Sequence, residues 1–319
     1  MNEATRPKAV GLVGARGYAG RELLRLIGGH PHLSLGFAAS RSVAGELIRD
    51  SVPEWPGDDV FVEATPQALA DLEADVFILA LPNGLSGEYL PRIDAQVVVV
   101  DLSADHRFDD DWAYGLPELG RDDLHDARRI ANPGCYATAA MLALAPIASL
   151  LEAEPSAFGV SGYSGAGTDP SPKNDPDVLR DSLMPYQLTG HMHEREIIHQ
   201  LGQPVRFAPS VAPFKRGLVV TVLAQTQQPT DLESLAAIYR QCYSADPLIQ
   251  IKSETPLPRG AAGRVEATIG GFSVDPVDPR RIGVAVALDN LLKGAASQAV
   301  QNINLACRFD SLAGLRPST

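Results

Sequence analysis

Cys135 has the sequence surroundings of a nucleophile. It lies in the segment ANPGCYA, where a Pro-Gly turn precedes a predicted helix. The free N–H groups and the dipole at a helix N-terminus favour the thiolate over the thiol. Asn132, together with the first amide groups of the helix, could form an oxyanion hole. Cys242 and Cys307 fall within helical stretches, so we expect them to be inert.

Two histidines could supply the general acid or base for this cysteine. His191 and His193 lie in the segment GHMHEREI, at the predicted start of a helix. Glu196 lies three residues after His193, a spacing at which it can pair with the ring and orient it. The HExxH motif of zinc proteases is excluded, because Ile197 occupies the position of its second histidine. Since no second cysteine follows Cys135 at the spacing of zinc deaminases either, we predict no metal site.

A glycine-rich loop could hold the phosphates of a cofactor. In VGLVGARGYAG, Gly14 and Gly17 belong to a GxxGxxG pattern between a predicted strand and a predicted helix. Glycine lets the backbone approach a pyrophosphate, and the helix N-terminus attracts its charge. Arg16 could contact phosphate or be solvated. The second strand is followed by Ser40 and Arg41 rather than by the carboxylate typical of NAD binding, which favours NADP over NAD.

Further polar residues follow predicted strands. Arg107 lies in DLSADHR, where it could clamp a substrate carboxylate or phosphate, or form a surface ion pair. Lys215 and Arg216 in PFKRG could hold a phosphate or be solvated turn charges. Ser164 lies in the glycine-rich turn SGYSGAG, which could approach a ligand closely. Asn290 in DNLLKGA could hydrogen-bond an amide such as nicotinamide.

The composition limits the possible functions. The chain has 319 residues, 45% of them hydrophobic, and its length suggests two domains. With 27 Lys and Arg against 39 Asp and Glu, the formal net charge is −12, which argues against nucleic acid as a partner. Three cysteines cannot form a disulfide framework, and we find no signal peptide and no stretch that could span a bilayer. We therefore expect a cytoplasmic protein without a membrane partner.

Strand-like and helix-like segments alternate in the first half of the chain. The predicted strands are apolar runs at residues 8–13, 33–39, 76–81 and 96–102. The predicted helices are at residues 21–29 and 138–151. Continuous β-branched runs are typical of a parallel sheet, so this half is predicted to be an α/β, Rossmann-like dinucleotide-binding domain.

The second half has a different pattern. Residues 168–190 contain four prolines and no clear period, and we interpret them as a functional loop or lid. Alternating β-type runs are found at residues 205–209, 218–226, 264–273 and 282–288. Helices are predicted at residues 231–243 and 293–307. This half is therefore predicted to be an α+β domain with a mostly antiparallel sheet.

Ten motifs follow one another along nearly the whole chain. They are GARGYAG, ASRSVAG, ALPNG, DLSADHR, YGLPEL, NPGCYAT, SGYSGAG, HMHEREI, FKRG and DNLLKGAASQAVQNIN. In this order they resemble N-acetyl-γ-glutamyl-phosphate reductase, a family related to aspartate-semialdehyde dehydrogenase. The chain departs from the family pattern at Arg16, Asn83, His106 and Ala137, and none of these removes a residue that the chemistry requires.

The resemblance implies an activity and a domain arrangement. The activity is NADPH-dependent reductive dephosphorylation of N-acetyl-glutamyl 5-phosphate in arginine biosynthesis, through a thioester on Cys135. Residues 1–136 and 293–319 would form the NADP-binding domain, and residues 137–292 the catalytic and dimerisation domain. We expect a homo-oligomer, either a dimer or a tetramer, that acts on a small acyl phosphate.

The resemblance also assigns site residues. For the acid or base it favours His191 over His193. The cofactor residues that it implies are Gly14, Arg16, Gly17, Tyr18, Ser40, Arg41, Pro82 and Asn290. The substrate residues that it implies are Arg107, Asn132, Ser164, Glu196, Lys215 and Arg216.

Three alternatives stay open at this point. A related acyl phosphate, of the aspartyl or aminoadipyl type, could be the substrate, because one methylene changes binding by only about 1–3 kcal/mol. Cys135 and His191 could serve a cofactor-free cysteine hydrolase or acyltransferase. The chain could also be a non-catalytic NADP-binding regulator.

Overall fold

The computed structural model describes residues 6–69 and 72–317, which form two compact units. The first comprises the described residues up to Pro133 together with Ala295–Arg316, and the second comprises Gly134–Gly294 with Pro317. Residues 1–5, 70, 71, 318 and 319, which the predicted first domain also includes, lie outside the described residues.

The elements are numbered in chain order through both units. The strands are β1 (Lys8–Val13), β2 (Leu33–Ala39), β3 (Val76–Leu79), β4 (Val98–Asp101), β5 (Ala113–Tyr114), β6 (Arg129–Ala131), β7 (Ser156–Gly162), β8 (Met184–Pro185), β9 (Arg206–Ala212), β10 (Leu218–Gln225), β11 (Ile249–Ile251), β12 (Ala267–Val274) and β13 (Arg281–Leu288). The α helices are α1 (Tyr18–Gly28), α2 (Ile48–Ser51), α3 (Pro66–Leu69), α4 (Ser86–Tyr89), α5 (Pro117–Gly120), α6 (Cys135–Leu144), α7 (Pro176–Leu179), α8 (Met192–Leu201), α9 (Leu232–Cys242), α10 (Pro258–Ala261) and α11 (Ala296–Ala306).

The first unit is built on a parallel sheet of six strands, in the order β2-β1-β3-β4-β6-β5. The strands β3 and β4 are buried at every residue, as the continuous apolar runs in their sequences require. The last helix, α11, packs against α1 and β4 within this unit. The predicted Rossmann-like parallel sheet is confirmed.

The second unit contains a seven-stranded sheet in the order β11-β12-β13-β10-β7-β9-β8. Its pairs are antiparallel except for β11 with β12 and β7 with β9. This confirms the predicted mostly antiparallel sheet. Helix α6 packs on β10 and β13 and against α8, and all of its residues from Tyr136 to Leu144 are buried.

Several predicted element ends differ from the structure. The helix predicted at residues 138–151 begins at Cys135, and its α-helical part ends at Leu144. Pro146 explains this end, because proline lacks the N–H that would continue the helical bonding, and residues 145–150 adopt 3-10 turns instead. The segment 168–190, predicted as a loop or lid, contains the short helix α7 and the strand β8, which pairs with β9.

Among the residues that the structure describes, no helix combines the length and the apolar character that a bilayer crossing requires.

Candidate active site

Cys135 is the first residue of α6 and lies in the second unit. Gly134 is the N-cap of this helix, and its carbonyl accepts hydrogen bonds from the amide and the hydroxyl of Thr138 at 2.8 and 3.0 Å. The thiol is partly buried. It therefore occupies the helix N-terminus, where backbone N–H groups and the dipole stabilise a thiolate.

Two contacts fix the turn that carries the thiol. The fully buried carboxylate of Glu196 accepts a hydrogen bond from the amide of Gly134 through Oε1 at 2.9 Å. On another side the backbone of Gly294 lies against Cys135, so that a Cβ added to Gly294 would be 2.6 Å from Cys135 Cβ. A longer side chain at residue 294 would displace the nucleophile. Neither contact can be read from the sequence, because each joins residues far apart in the chain.

His191 is placed by the start of α8, for which it is the N-cap. Its Nδ1 accepts a hydrogen bond from the amide of His193 at 3.1 Å, which assigns the proton of the neutral ring to Nε2. Burial lowers the pKa of His191, the positive charge of Lys173 lowers it further, and Glu194 opposes both. These effects favour the neutral ring, whose Nε2–H group can donate a hydrogen bond to an oxyanion.

Aromatic rings surround His191 on several sides. Its ring centroid lies 5.5 Å from those of Tyr186 and Phe207, 6.5 Å from that of Tyr136 and 5.0 Å from that of His193. Tyr136 directly follows Cys135, so this packing brings the predicted histidines into the neighbourhood of the thiol. The two residues of the predicted acid or base region are thus assembled with the helix that bears Cys135.

Glu196 has a closer partner than the one expected from its spacing. His193 Nε2 lies 3.9 Å from Glu196 Oε2, beyond the length of a hydrogen bond. Glu196 Oε1 lies 2.9 Å from the amide nitrogen of Gly134, which is 1 Å less than the 3.9 Å that separates Glu196 Oε2 from His193. The glutamate therefore holds the turn before Cys135 more tightly than it orients His193.

Sequence reasoning did not single out Tyr136 and Tyr186. The hydroxyl of Tyr136 donates to the carbonyl of Ser210 at 2.7 Å. Burial raises the pKa of both phenols, and negative charge on Cys135 raises each further. Both phenol groups are therefore uncharged, and both side chains lie in the surroundings of the thiol. The only sequence signals for them are the position next to Cys135 and, for Tyr186, membership of the proline-rich segment.

The loop that contains Lys215 and Arg216 is tied to the glycine-rich turn by Asn290. The Oδ1 atom of Asn290 accepts from the amide of Gly217 at 2.8 Å, and its Nδ2 donates to Ser164 Oγ at 2.9 Å. Arg216 Nε donates to the buried carboxylate of Asp289 at 2.7 Å, whereas the side chain of Lys215 is exposed. The structure thus brings the predicted residues Lys215, Arg216, Ser164 and Asn290 together. The side chains of Asn290 and Ser164 hold the two loops in place by hydrogen bonds.

The glycine-rich loop of the first unit fits the phosphates of a dinucleotide. The amides of Gly14 and Ala15 both donate to the carbonyl of Ala39, and Gly14 has a φ of +84°. A Cβ at Gly14 would overlap the carbonyl oxygen of Ala80, so this position requires glycine. Gly17 is the N-cap of α1, and as a glycine it has no side chain to accept a hydrogen bond from the first-turn amides. The first turn also contains no acidic residue. The first-turn amides are thus suited to an anion.

The remaining predicted cofactor residues lie around this loop or at strand ends in the same unit. Ser40 is buried and its amide donates to Val62 at 3.0 Å, while the Arg41 side chain is exposed. Arg16 and Tyr18 are half-buried, and Pro82 is exposed after β3. No carboxylate follows β2 directly, in line with the sequence pattern.

Arg107 and Asn132 have structural contacts that the sequence did not reveal. Arg107 is buried, and it donates to the carbonyl of Asn132 at 2.9 Å and to that of Leu102 at 2.8 Å. The side-chain Nδ2 of Asn132 donates to the carbonyl of Ala295 at 3.3 Å, and its Oδ1 accepts from Nδ2 of Asn302 at 3.1 Å. Both side chains therefore brace the first unit, and their role toward substrate stays a prediction.

Within residues 6–69 and 72–317, no three His, Cys, Asp or Glu side chains are grouped so that they could hold a metal ion.

Two protein families match the chain. The family described as semialdehyde dehydrogenase, NAD binding domain, matches residues 9–127. The family described as semialdehyde dehydrogenase, dimerisation domain, matches residues 135–290. The first match identifies the class of cofactor as a nicotinamide dinucleotide.

Three proteins with similar sequences have the same name. An N-acetyl-gamma-glutamyl-phosphate reductase of Xanthomonas axonopodis pv. citri is 49% identical, over 98% of this chain and 99% of that protein. Proteins of the same name are 46% identical in Stenotrophomonas maltophilia, over 99% of each chain, and 47% identical in Xylella fastidiosa, over 98% of this chain and 96% of that protein.

Solved structures with lower identity share the fold. Aspartate semialdehyde dehydrogenase II of Vibrio cholerae, complexed with ASA, has a TM-score of 0.77 at 21% identity, over 95% of this chain and 99% of that one. Aspartate semialdehyde dehydrogenase with NADP from Candida albicans has a TM-score of 0.71 at 17% identity, over 97% of this chain and 99% of that one.

Proposed function

Because this chain belongs to the N-acetyl-gamma-glutamyl-phosphate reductase family, we propose that it reduces N-acetyl-glutamyl 5-phosphate to N-acetyl-glutamate 5-semialdehyde and phosphate, with NADPH, in arginine biosynthesis. The observation that carries the proposal is the placement of the Cys135 thiol at the N-terminus of α6, in a turn fixed by Glu196.

Cys135 is the nucleophile in this proposal. Its thiolate attacks the acyl carbon of the acyl phosphate, forming a C–S bond, and the bond from that carbon to the phosphate oxygen breaks. The first-turn amides of α6 are the donors available to the oxyanion. Lys215 and Arg216, beside the glycine-rich turn, would offset the charge of the leaving phosphate. The product of this half-reaction is a thioester on Cys135.

His191 serves the second half-reaction. NADPH, when bound, supplies the hydride that reduces the thioester carbonyl. The Nε2–H group of neutral His191 can donate a hydrogen bond to the resulting oxyanion and stabilise it until the carbonyl re-forms, the C–S bond breaks and the aldehyde leaves the Cys135 thiolate. His193, whose ring packs against both His191 and Tyr136, is the second candidate for this step.

The cofactor is proposed to be NADP, bound by the first unit. The first-turn amides of α1, which follow Gly14 and Gly17, would hold the pyrophosphate, and Ser40 with Arg41 would hold the 2′-phosphate. Tyr18, Arg16 and Pro82 would line the same region, and Asn290 of the second unit stays a candidate for the nicotinamide amide. The division of roles is thus a dinucleotide-binding first unit and a catalytic second unit.

The second unit is also proposed to form a homodimer or a tetramer in the cytoplasm. Its sheet exposes large apolar side chains on one face, with Phe158 on β7 48% exposed and Leu223 on β10 53% exposed. Thr221 lies between them, paired with Phe158. An exposed apolar sheet face of this kind, in a domain that matches a dimerisation family, supports contact with a second copy.

The reverse reaction tests the proposal. Purified wild type and Cys135→Ser are mixed with the semialdehyde, inorganic phosphate and NADP⁺, and NADPH formation is followed. Phosphate-dependent NADPH formation that is lost in Cys135→Ser supports the reductase. Acyl hydrolysis without nucleotide would instead support the cysteine hydrolase, and tight NADPH binding without turnover would support the regulator. Comparing kcat/KM for the N-acetyl-glutamyl, aspartyl and aminoadipyl semialdehydes identifies the acyl group.

A further inference from the structure

We propose that Lys173 is a substrate-binding residue, which receives an anionic oxygen of the acyl-phosphate substrate beside His191; this inference rests on the proposed function. Lys173 lies in the proline-rich segment 168–190, which the sequence marks as functional without assigning a role to any residue in it.

The position of Lys173 relative to the candidate acid or base is defined by one aromatic ring. The Nζ atom of Lys173 lies 4.8 Å from the centroid of the Tyr186 ring, a cation–π geometry. The same Tyr186 ring packs edge-on against His191, with 5.5 Å between centroids. The lysine charge is therefore held beside the aromatic cluster that contains His191, where burial lowers the pKa of His191 and the charge of Lys173 lowers it further.

Hydrogen bonds of one side chain fix the loop that contains Lys173. The Oδ1 atom of Asn174 accepts from the amide of Ser171 at 2.8 Å, and its Nδ2 donates to the carbonyls of Gly167 and Asp169 at 2.9 and 2.7 Å. Asp175 caps α7 immediately afterwards. A lysine between Ser171 and Asp175 is thus carried by a fixed backbone, which limits the entropy lost when its ammonium group binds a ligand.

The segment 168–190 contains a second cation, Arg180, and its contacts differ from those of Lys173. Arg180 pairs with the carboxylate of Asp177 on the protein surface. Lys173 instead lies over a ring, and a ring face contacts only one side of an ammonium group, which has three N–H donors. The remaining donors suit carboxylate or phosphate oxygens. The proposed substrate contains both groups, so both are possible sources of the oxygen.

The reverse reaction separates these two sources, because the semialdehyde brings the carboxylate and inorganic phosphate is added independently. We expect Lys173→Met to raise the KM for one of the two by about 10- to 100-fold, the size of a lost charge-assisted hydrogen bond. The kcat and the KM for NADP⁺ should change little, and Lys173→Arg should restore most of the affinity. The substrate whose KM rises identifies the bound oxygen.

Arg180→Met is the matched control, since it removes a cation from the same segment, and it should leave both KM values unchanged. Thermal unfolding checks that each variant is folded. Unchanged KM values in Lys173→Met, a loss of kcat alone, or an equal effect in Arg180→Met would overturn the inference. If wild type turns over and Lys173→Met matches it, only this inference fails; if wild type itself does not turn over, the proposed function fails and this inference with it.

Discussion

Two glycine-containing turns that lead into helices, the turn before α1 and the turn before α6, are fixed in different ways. The loop at Gly14 and Gly17 is held by nearby backbone, through hydrogen bonds to Ala39 and from Gly17 to Gly14. The turn at Gly134 and Cys135 is held by a side chain 62 residues away, the carboxylate of Glu196. Backbone contacts alone place the loop that would hold phosphates, whereas a thiol that must meet an acyl carbon is placed by a side chain as well.

If this difference is correct, changes at the supports of Cys135 should impair thiol chemistry and leave nucleotide binding intact. The largest effect is expected for Gly294→Ala. Its Cβ would lie 2.6 Å from Cys135 Cβ and 2.8 Å from the carbonyl oxygen of Asn290, so the thiol must move. We expect kcat/KM to fall on the order of 100-fold, as for a displacement of about 1 Å in other enzymes.

Steady-state kinetics and the rate of alkylation of Cys135 by iodoacetamide measure this effect. Gly260→Ala is the matched control in the same unit, because a Cβ there meets no atom within 4 Å. The control should keep wild-type activity. Equal activities of the two variants would contradict the packing argument.

A smaller loss is expected when the carboxylate support is removed. Glu196→Ala leaves the buried amide of Gly134 without its acceptor, which costs about 1–3 kcal/mol and should lower kcat roughly 10- to 100-fold. Glu196→Gln keeps an oxygen in the same place, so its kcat should lie closer to that of wild type. The pH dependence of alkylation shows whether the thiol is displaced or has a changed pKa. A glutamine variant as impaired as the alanine variant would assign the effect to charge instead of the hydrogen bond.

The complementary variant changes a predicted cofactor residue and leaves the surroundings of Cys135 unaltered. Arg41 is exposed after β2, and Arg41→Ser should raise the KM for NADPH about 10-fold by loss of a charged contact with the 2′-phosphate. The KM for NADH and the alkylation rate of Cys135 should stay as in wild type. An equal rise for both nucleotides would remove the argument for NADP, and a change in alkylation would show that the two turns are coupled.

The smallest effect concerns pH. Burial lowers the pKa of His191 and of His30, so near pH 6.5 the unfolded chain takes up protons that the folded chain does not. The free energy of unfolding should therefore fall as the pH decreases from about 6.5 toward the lowered pKa values. Thermal unfolding midpoints measured between pH 5 and 8 test this, and His191→Asn should flatten part of the dependence. A wild-type midpoint that rises as the pH falls below 6.5 would contradict the sign.

The comparison also explains what the sequence could predict. Local signals were sufficient for the parallel sheet, because β3 and β4 come from apolar runs rich in β-branched residues, and for a helix after the Pro-Gly turn, although its start was predicted at residue 138 and lies at Cys135. The prediction that the segment GHMHEREI opens a helix is confirmed, since His191 is the N-cap of α8 and Glu196 lies within α8.

The supports of the thiol could not be predicted, since they depend on long-range packing. Nothing in the sequence joins Glu196 to the amide of Gly134, or Gly294 to Cys135. In the same way Arg107 reads as an anion clamp, but the structure has it donating to two backbone carbonyls. The roles of these residues toward ligands stay predictions that the variants above address.

The most direct test of the account is whether Cys135 becomes acylated. Wild type, Cys135→Ala and Glu196→Ala are mixed with N-acetyl-glutamyl 5-phosphate without NADPH, and their intact masses are measured, with peptide mapping of any adduct. The account predicts a mass increase of one N-acetyl-glutamyl group on Cys135 in wild type, slower appearance in Glu196→Ala and none in Cys135→Ala. An adduct on another residue, or NADPH-dependent reduction of the acyl phosphate by Cys135→Ala, would contradict it.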